Sequence, residues 1–597
     1  MRPLQLTKII LRELKPKLQT VKNFAEHMDV QRREMFLYRD CMKEIFNPSK
    51  FIVRGYKGAG KTCIYQALGR SNDVADFIRT RAEISFDCDF INVIDFDGIS
   101  NHPLKLLEDD GVFAGHRFYN INAFWQILMW NAIFSKEEYR SVLDRSAIKE
   151  RLFTFRGSNG ASILNSINEM IEGGASRVLA AIEDDLTRLD EYLTTNNLKL
   201  FIMYDGLDNV VKPKYWGKAV SPLINKWGGN VTAYKNIHPK IFLRTDLFDR
   251  IEGTNIERLK DNIIDIDWDI AEVFGYLFKL VLGNGNNPSR EAMWSIIRIL
   301  RPDTADNHIK NMTKAIENGL GQFPTFDEAN LKPLVEIFFG REVNPQRAHL
   351  GRPWQYFEKQ LSNAAGKISM RLFINTLTCD VIEKGLENSN PHVTEVISPD
   401  LYASREVRIK VAESYFNDMA SEEDFTDDLQ KLREYINSEN GKEYRKKVLS
   451  ELEFNTMINN IISQYKNDLH AIETPAEFAQ LIYASGLMKE IYKRGRKIYR
   501  FSPMFEYPWG LVGKAYEEED DNQEIKSPKV VDGDVLDGIL TFNKFGKPAV
   551  KVGQNFYECE SYPQFKIGSK VSFTVRVRPK IGGKGVFWLS SNLKLIK

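Results

Sequence analysis

The feature that most constrains the fold is the octapeptide GYKGAGKT at residues 55–62, which matches the pattern G-x-x-x-x-G-K-[ST]. It directly follows a short apolar stretch, Phe51-Ile52-Val53, and a segment that reads as helical begins at Cys63. A strand, a glycine loop and a helix in this order are the setting in which the pattern binds phosphate. We therefore expect a phosphate-binding loop on an α/β sheet, with a merely structural glycine turn as the alternative.

Each residue type in the loop has an expected role. Gly58 and Gly60 permit the turn that lets backbone N–H groups surround phosphates. Lys61 is expected to reach the β- and γ-phosphates, and the Thr62 hydroxyl to coordinate Mg²⁺. The predicted nucleotide-binding set is Gly55, Lys57, Gly58, Ala59, Gly60, Lys61, Thr62 and Cys63.

The acidic half of such a site is expected at the end of a buried strand. The run LKLFIMYDGLD at 198–208 places Asp205 after consecutive apolar residues, and Asp205 is predicted to hold Mg²⁺ directly or through water. Asp208 is a candidate for polarising the attacking water, and its alternative role is to cap the next helix. The expected cofactors are therefore ATP and Mg²⁺, with hydrolysis of ATP as the reaction.

Two arginines are candidates for contacting the γ-phosphate. Arg244 and Asp246 follow an apolar strand within 239–248, and ligands of α/β sheets lie at the carboxyl ends of the strands. The alternative is an ion pair of Arg244 with Asp249 or Asp205. Arg371 stands near the start of a predicted helix, where a surface arginine is the simpler explanation.

The 597 residues exceed what a single core accommodates, so several domains are expected. Apolar strands at 90–97, 198–208, 239–248 and 262–268 alternate with helical segments, which predicts a parallel α/β sheet. The runs GILTF, AVKV, VSFTVRV, GVFWLS and LKLI predict a small C-terminal β-barrel. The predicted organisation is an N-terminal helical segment (1–48), an α/β core (49–275), a helical region (276–400), a helical and winged-helix-like region (401–513), an acidic linker (514–529) and the β-barrel (530–597).

Composition favours a reducing, non-membrane environment. The net charge is +1, and the five cysteines are scattered without a CxxC pair, which argues against a disulfide framework or a zinc site. The charged N-terminus does not resemble a signal peptide, and no run of about 18 apolar residues occurs. We expect a cytoplasmic protein with no membrane partner.

Together, GYKGAGKT, FIMYDGLD, FLRTDLF and IDIDW resemble P-loop ATPases of the STAND and origin-recognition groups within the AAA+-like class, over residues 35–380. The resemblance implies a helical lid after the sheet with Arg371 in a sensor-like position. It also implies nucleotide-controlled switching, often with homo-oligomerisation, and many STAND proteins act in bacterial defence against phage. The sequence departs from this family pattern at two positions, which bear on the rate of hydrolysis and on the assignment of the sensor. Asn209 stands where an acid is frequent, and Arg244 precedes Thr245 where many STAND proteins have the reverse order.

Two C-terminal segments suggest nucleic acid, either DNA or RNA. Residues 489–500 read as a basic hairpin after a helix and resemble a winged helix; its basic and aromatic residues are Lys489, Tyr492, Lys493, Arg494, Arg496, Lys497, Tyr499 and Arg500. Residues 526–597 carry 13 Lys/Arg and 5 Asp/Glu, a difference of +8, and resemble an OB-fold or cold-shock barrel. Such barrels stack bases on aromatic side chains, for which the candidates are Phe542, Phe545, Phe556, Tyr557 and Trp588. In both segments, docking of a protein is the alternative.

Two functions follow from these patterns. The first is a nucleotide-switched ATPase that senses or remodels nucleic acid. The second is a STAND-type scaffold that turns over slowly and oligomerises when nucleotide and an effector protein bind.

Overall fold

The computed structural model divides the chain into two compact units, Met1–Gly513 and Lys514–Lys597, which we describe separately. The structure describes residues 3–22, 33–70, 72–93, 117–154, 160–172, 174–207, 216–229, 233–248, 251, 256–283, 287–319, 321–322, 328–343, 351–390, 392, 394–420, 428–469, 472–493, 495–513, 535–542, 548–552, 555–559, 564–566, 569–579 and 586–595. The predicted acidic linker at 514–529 lies outside these ranges.

A five-stranded parallel sheet forms the centre of the first unit and confirms the predicted α/β sheet. Its strands are β1 (Ile52–Gly55), β2 (Asp87–Asn92), β3 (Leu198–Tyr204), β4 (Ile237–Arg244) and β5 (Ile263–Asp265). They are hydrogen-bonded in the order β2-β3-β4-β1-β5. Because all five strands run in one direction, the loop after β1 and the residues after β3 and β4 lie at the same edge of the sheet.

Nine described helices lie before or between the strands of this sheet in chain order. Their bounds are α1 (Pro3–Lys22), α2 (Lys61–Arg70), α3 (Asn72–Arg81), α4 (Arg117–Phe134), α5 (Gly160–Glu172), α6 (Ala175–Thr195), α7 (Trp216–Gly228), α8 (Thr245–Phe248) and α9 (Ile256–Leu259). Short 3-10 helices occur at Arg33–Met35, Asp40–Phe46, Glu137–Arg145, Lys149–Arg151 and Lys260–Asn262.

A helical region follows β5. It comprises α10 (Ile270–Leu282), α11 (Pro288–Leu300), α12 (Ala305–Asn318), α13 (Glu328–Phe339), α14 (Pro353–Leu361), α15 (Met370–Thr376), a kinked segment (Leu377–Val381), α16 (Ile382–Glu387), α17 (Pro399–Tyr402), α18 (Arg405–Ala420) and α19 (Leu429–Asn437). The start of α10 is fixed by a capping box between Asp269 and Glu272. All residues of α10 except Glu272 are buried, as its continuous apolar sequence predicts. The first helix, α1, packs its Ile10, Leu11 and Leu14 into this helical core and not against the sheet.

The last part of the first unit combines helices with a small antiparallel sheet. After a 3-10 helix (Lys442–Tyr444) come β6 (Val448–Ser450), α20 (Glu451–Gln464), α21 (Pro475–Ala484), β7 (Met488–Lys493), β8 (Arg496–Phe501) and α22 (Pro503–Glu506). The sheet order is β6-β8-β7, and β7 and β8 form the predicted hairpin. Tyr499 of β8 stacks on Phe454 of α20 with ring centroids 3.9 Å apart, which joins the sheet to the helices.

The second unit is a closed five-stranded barrel, which confirms the predicted C-terminal barrel. Its strands are β9 (Val535–Phe542), β10 (Pro548–Val552), β11 (Asn555–Cys559), β12 (Lys570–Pro579) and β13 (Val586–Leu595). They close in the order β10-β11-β13-β12-β9, with β11 and β13 parallel and the other pairs antiparallel. The interior is filled by Leu540, Val550, Tyr557, Val571, Phe573 and Val575.

Several strand limits differ from the prediction. The run at 239–248 turns from strand into helix at Thr245, and the run at 262–268 contributes only three paired residues. In the barrel, GVFWLS and LKLI belong to one strand, β13, and β11 was not predicted. Within the described parts of the chain, no helix is both long and apolar enough to cross a bilayer.

Candidate nucleotide-binding site

The loop between β1 and α2 has the backbone conformation that its glycines allow. Gly58 and Gly60 have φ angles of 85° and 90°, in the left-handed region where a side chain is strained. The space is restricted as well, because a Cβ on Gly58 would lie 2.6 Å from the Oγ of Ser369. The loop then leads directly into α2, which begins at Lys61.

Lys61 lies over this loop. Its Nζ donates to the carbonyl oxygens of Gly55 (2.9 Å) and Tyr56 (3.1 Å). The ammonium group is thus held at the mouth of the loop, where phosphate oxygens would compete with two carbonyl oxygens for its protons.

A cavity of about 350 Å³ brings most of the predicted site residues together. Its size is within the range of small-molecule sites. The predicted residues that line it are Lys57, Gly58, Gly60, Lys61, Thr62, Cys63, Asp205, Arg244 and Arg371. Much of the remaining wall is apolar, with Val21, Met35, Phe36, Leu37, Met42, Ile64, Tyr276, Met370 and Ile374. Gly55 and Ala59 belong to the loop but do not line the cavity, and Ala59 is buried beneath it.

Sheet register explains how Asp205 and Arg244 reach the loop. Arg244 is the last residue of β4 and is paired with Gly55, the last residue of β1. Asp205 follows β3, on the other side of β4, and is 6% exposed. The carboxylate and the loop are therefore separated by one strand that ends in a cation. Asp208 and the side chain of Asp246 lie outside the described residues.

Arg371 comes from the helical region. It is the second residue of α15, it is exposed, and it lines the cavity together with Met370. The structure thus places it beside the loop, although the sequence favoured a surface arginine as the simpler explanation.

Arg39 is a cavity residue that the sequence analysis missed. It is 2% exposed, and its guanidinium donates to the carbonyl oxygens of Ala59 (3.0 Å) and Ile266 (2.8 Å). The same group lies 4.2 Å from the centroid of the Trp268 ring and 3.6 Å from a carboxylate oxygen of Glu272. Burial raises the pKa of Glu272, and the neighbouring Arg39 opposes that shift. A single arginine in the apolar run MFLYRDCM was the available signal.

Asp267 links the loop to the helical region. Its Oδ1 accepts a hydrogen bond from the backbone N–H of Tyr56 at 3.0 Å, and its Oδ2 pairs with Nζ of Lys367 at 3.0 Å. Lys367 precedes α15, which carries Arg371. One carboxylate therefore contacts both the first residue after β1 and the segment that leads to α15.

Magnesium would depend on the nucleotide as well as on the protein. Among the described residues, no group of three His, Cys, Asp or Glu side chains is arranged to hold a metal ion. Thr62 and Asp205 line the same cavity, and a hydroxyl plus a carboxylate suits Mg²⁺ that is shared with substrate phosphates. The residues present thus fit a metal–nucleotide complex.

The basic hairpin β7–β8 presents a positive face. Lys489 is paired across the strands with Arg500, and Lys493 with Arg496, and all four are exposed. Like charges directly opposite one another destabilise a sheet, so this arrangement has a cost that an anionic partner would offset. Tyr492 is 69% exposed.

The other hairpin candidates are placed differently. Lys497 pairs with Glu490 at 2.8 Å, and Tyr499 is buried in the stack with Phe454. Arg494 lies outside the described residues. Among the described residues of the predicted basic cluster, four cations and one aromatic ring are exposed.

In the barrel, the described surface has a mixed character. Lys551, Ile539 and Lys570 are paired across three neighbouring strands, and all are exposed. Tyr557 is a core residue and is 4% exposed, so it does not offer its ring to a base. Phe545 and the side chains of Phe542, Phe556 and Trp588 lie outside the described part of the barrel.

Comparisons with known proteins give little beyond this geometry. No family model and no curated protein matches the chain. Among solved structures, Cdc6p from Pyrobaculum aerophilum aligns with 10% identity and a TM-score of 0.22, covering 84% of this chain and 92% of that one. The ORC2 protein of Aeropyrum pernix, solved as ADPNP–ADP complexes, aligns with 11% identity and a TM-score of 0.24, covering 79% and 90%. Similarity at this level does not establish a common fold, and the functional interpretation rests on the cavity.

Proposed function

We propose that this protein binds ATP with Mg²⁺ and hydrolyses it. The observation that carries the proposal is the convergence of the left-handed glycine loop, Lys61, Thr62, Asp205 and Arg244 on one cavity. These groups come from three different strands of a parallel sheet, so a chance surface cleft is a poor explanation.

The expected roles follow from the chemistry of each group. Backbone N–H groups of the loop and the Lys61 ammonium bind the phosphates, while Thr62 and Asp205 hold Mg²⁺. When bound, Mg²⁺ supplies charge neutralisation at the β- and γ-phosphates. Arg244 and Arg371 stabilise negative charge on the γ-phosphate, and Asp208 remains our candidate for polarising the attacking water.

Membership of the AAA+-like class, including its STAND and origin-recognition groups, is part of the proposal. It is supported by the motif order and by the position of β4 between the strand of the loop and the strand of Asp205. The α10–α19 region would act as the lid, because α15 brings Arg371 to the cavity. The β6-β8-β7 sheet with α19, α20 and α21 would be a winged helix.

We further propose that nucleotide occupancy controls the binding of DNA or RNA. The exposed cations of the β7–β8 hairpin suit phosphate contacts, and the barrel has the OB-like closed form. A small cleft between the loop and the winged-helix-like region supports coupling, because Tyr56, Lys57 and Arg244 face Leu481 and Ser485 there. Movement of the loop on binding ATP would be transmitted to α21.

The test is ATP turnover with and without single-stranded and duplex DNA and RNA. Lys61→Ala and Asp205→Ala are expected to abolish turnover. The matched controls, Lys314→Ala and Asp303→Ala on exposed positions of the helical region, are expected to keep it. Stimulation by one nucleic acid, lost in both site variants, would support the complete proposal. Turnover that survives Lys61→Ala would contradict it.

The second candidate is the STAND-type scaffold, for which we propose a role in antiviral defence. α21 packs beside α8, close to Arg244. This packing favours a switch that stays closed until nucleotide and an effector protein bind. This candidate predicts a homo-oligomer that forms with ATP and an effector protein in the absence of nucleic acid. Light scattering with ATP and with ADP distinguishes it, since the ATPase proposal requires no change of mass.

A further inference from the structure

The indole N–H of Trp268 is a buried donor beside the phosphate loop. Trp268 follows β5 and lines the same cavity as Lys61. Its Nε1 is inaccessible to solvent, and no described residue accepts a hydrogen bond from it. Indole nitrogen is a donor only, and a buried donor without an acceptor is destabilising.

The position of this donor points to the loop. Nε1 lies 4.0 Å from the point that a Cβ on Gly60 would occupy. Gly60 directly precedes Lys61, whose ammonium already faces the mouth of the loop. An acceptor that enters the loop would therefore arrive close to the indole N–H.

The ring is held in place from several sides. The Arg39 guanidinium covers one face at 4.2 Å, and Tyr276 packs in an edge arrangement with centroids 6.2 Å apart. The backbone of Trp268 forms an antiparallel bridge with Ile368. A donor fixed before the ligand binds loses little entropy on binding, which favours affinity.

We propose that Trp268 is a nucleotide-binding residue whose Nε1–H donates a hydrogen bond to a phosphate oxygen beside Gly60. The inference rests on the proposed function, because it requires a phosphate in the loop. It adds a binding group that belongs to neither the glycine motif nor the acidic strand. A hydrogen bond from a neutral donor to a charged oxygen is stronger than a hydrogen bond from the same donor to a neutral acceptor.

The test compares Trp268→Phe with the wild-type full chain by calorimetry, using ADP and adenosine. Phenylalanine keeps one aromatic ring under Arg39 and removes the N–H together with the second ring of the indole, so the adenosine titration reports any loss that does not depend on phosphate. We expect ADP binding to weaken by roughly 10-fold or more, and adenosine binding to stay as in the wild type. Trp354→Phe is the matched control, because Trp354 packs on Phe274 in the helical core, is not among the cavity residues, and should leave ADP affinity unchanged.

A second measurement on the wild type avoids any dependence on the variant's folding. In protein labelled with ¹⁵N-tryptophan, the Trp268 indole signal, identified by its loss in Trp268→Phe, should move downfield with ADP and stay in place with adenosine. A signal that does not respond to ADP would overturn the proposal, as would equal weakening of ADP and adenosine.

The outcomes separate the two levels of inference. If Lys61→Ala loses ADP while Trp268→Phe binds it as the wild type does, the role of Trp268 is overturned and the proposed function stands. If the wild type binds no nucleotide, both are overturned.

Discussion

Arg39 connects three parts of the molecule through one side chain. It donates to the carbonyl of Ala59 in the loop and to that of Ile266 after β5, and it stacks on Trp268. These contacts come from the segment before β1, so the back of the phosphate loop is supported by residues outside the motif. Lysine would not reproduce two hydrogen bonds and a planar stack at once.

We expect Arg39→Met to lower both stability and nucleotide affinity. Its removal leaves the Glu272 carboxylate, whose side chain is 13% exposed, without its guanidinium partner, and breaking a largely buried pair costs about 3 kcal/mol or more. The first thermal transition should fall by roughly 3–5 °C, and ADP binding should weaken. Arg12→Met, at an exposed position of α1, is the control. An unchanged transition would show that Arg39 does not support the loop.

His238 gives a prediction about pH. It lies in β4, is 3% exposed, and neither ring nitrogen has a hydrogen-bond partner among the residues that the structure describes. Burial, together with Lys240 and Lys199, lowers the pKa of His238 to about 3. As the pH is lowered, His238 becomes protonated near pH 6.5 in the unfolded chain but only near pH 3 in the folded chain. The contribution of His238 to the free energy of unfolding is therefore fully present above pH 6.5. It falls as the pH is lowered, by about 2 kcal/mol at pH 5.

His238→Phe should remove this component, because phenylalanine keeps an aromatic ring beside Phe201 and does not titrate. The loss of stability between pH 7 and pH 5, measured from denaturation curves, should be smaller in the variant than in the wild type. His392→Phe, at an exposed position, should retain the wild-type loss. Identical pH dependence in His238→Phe and the wild type would contradict the assignment.

At the scale of elements, the sequence predicted best where local pattern and burial agree. β3 is a continuous apolar run that is buried on both faces, so its type and its terminal Asp205 were evident. β11 was missed because its sequence, NFYEC, does not alternate strictly between apolar and polar residues, although only two residues separate it from β10. The extent of β4 was overestimated because Thr245 begins α8 within the same apolar run.

In the site, too, residues in local motifs were predicted and residues that act through long-range contacts were not. The loop, Asp205 and Arg244 were found from motif and strand patterns. Arg39, Asp267 and Trp268 were not, because their roles depend on contacts between segments that only the fold brings together. The spacing of residues in MFLYRDCM and IDIDWD does not indicate that Arg39 stacks on Trp268.

The β7–β8 hairpin allows a direct test of the nucleic-acid proposal. Replacing the Lys493–Arg496 cross-strand pair with two threonines removes two like charges and keeps strand propensity. We expect weaker nucleic-acid binding by fluorescence anisotropy, and a salt dependence whose slope is smaller by about 1–2. Lys497→Thr is the matched control, since Lys497 is paired with Glu490. Equal affinity and slope in the double variant and the wild type would argue against this surface.

At the scale of the whole molecule, each compact unit has its own core. The residues that line the cavity all belong to Met1–Gly513, and the barrel interior draws only on Lys514–Lys597. We expect a chain that ends at Gly513 to bind ADP with wild-type affinity and to lose part of its affinity for nucleic acid. Calorimetry and anisotropy on the truncated chain check the two statements separately. Loss of ADP binding would contradict the independence of the first unit, and unchanged nucleic-acid affinity would exclude the barrel as a binding surface.

The most direct test of the central claim is a titration of the full chain with ATP in the presence of Mg²⁺, for the wild type, Lys61→Ala and Lys314→Ala. Because Lys61 is the cation held at the mouth of the loop, its removal should weaken binding by roughly 100-fold, while Lys314→Ala should bind as the wild type does. Saturable binding of one ATP per chain that depends on Lys61 is the predicted result. Absence of binding to the wild type, or equal affinity in Lys61→Ala, would contradict the assignment of this cavity as a nucleotide site.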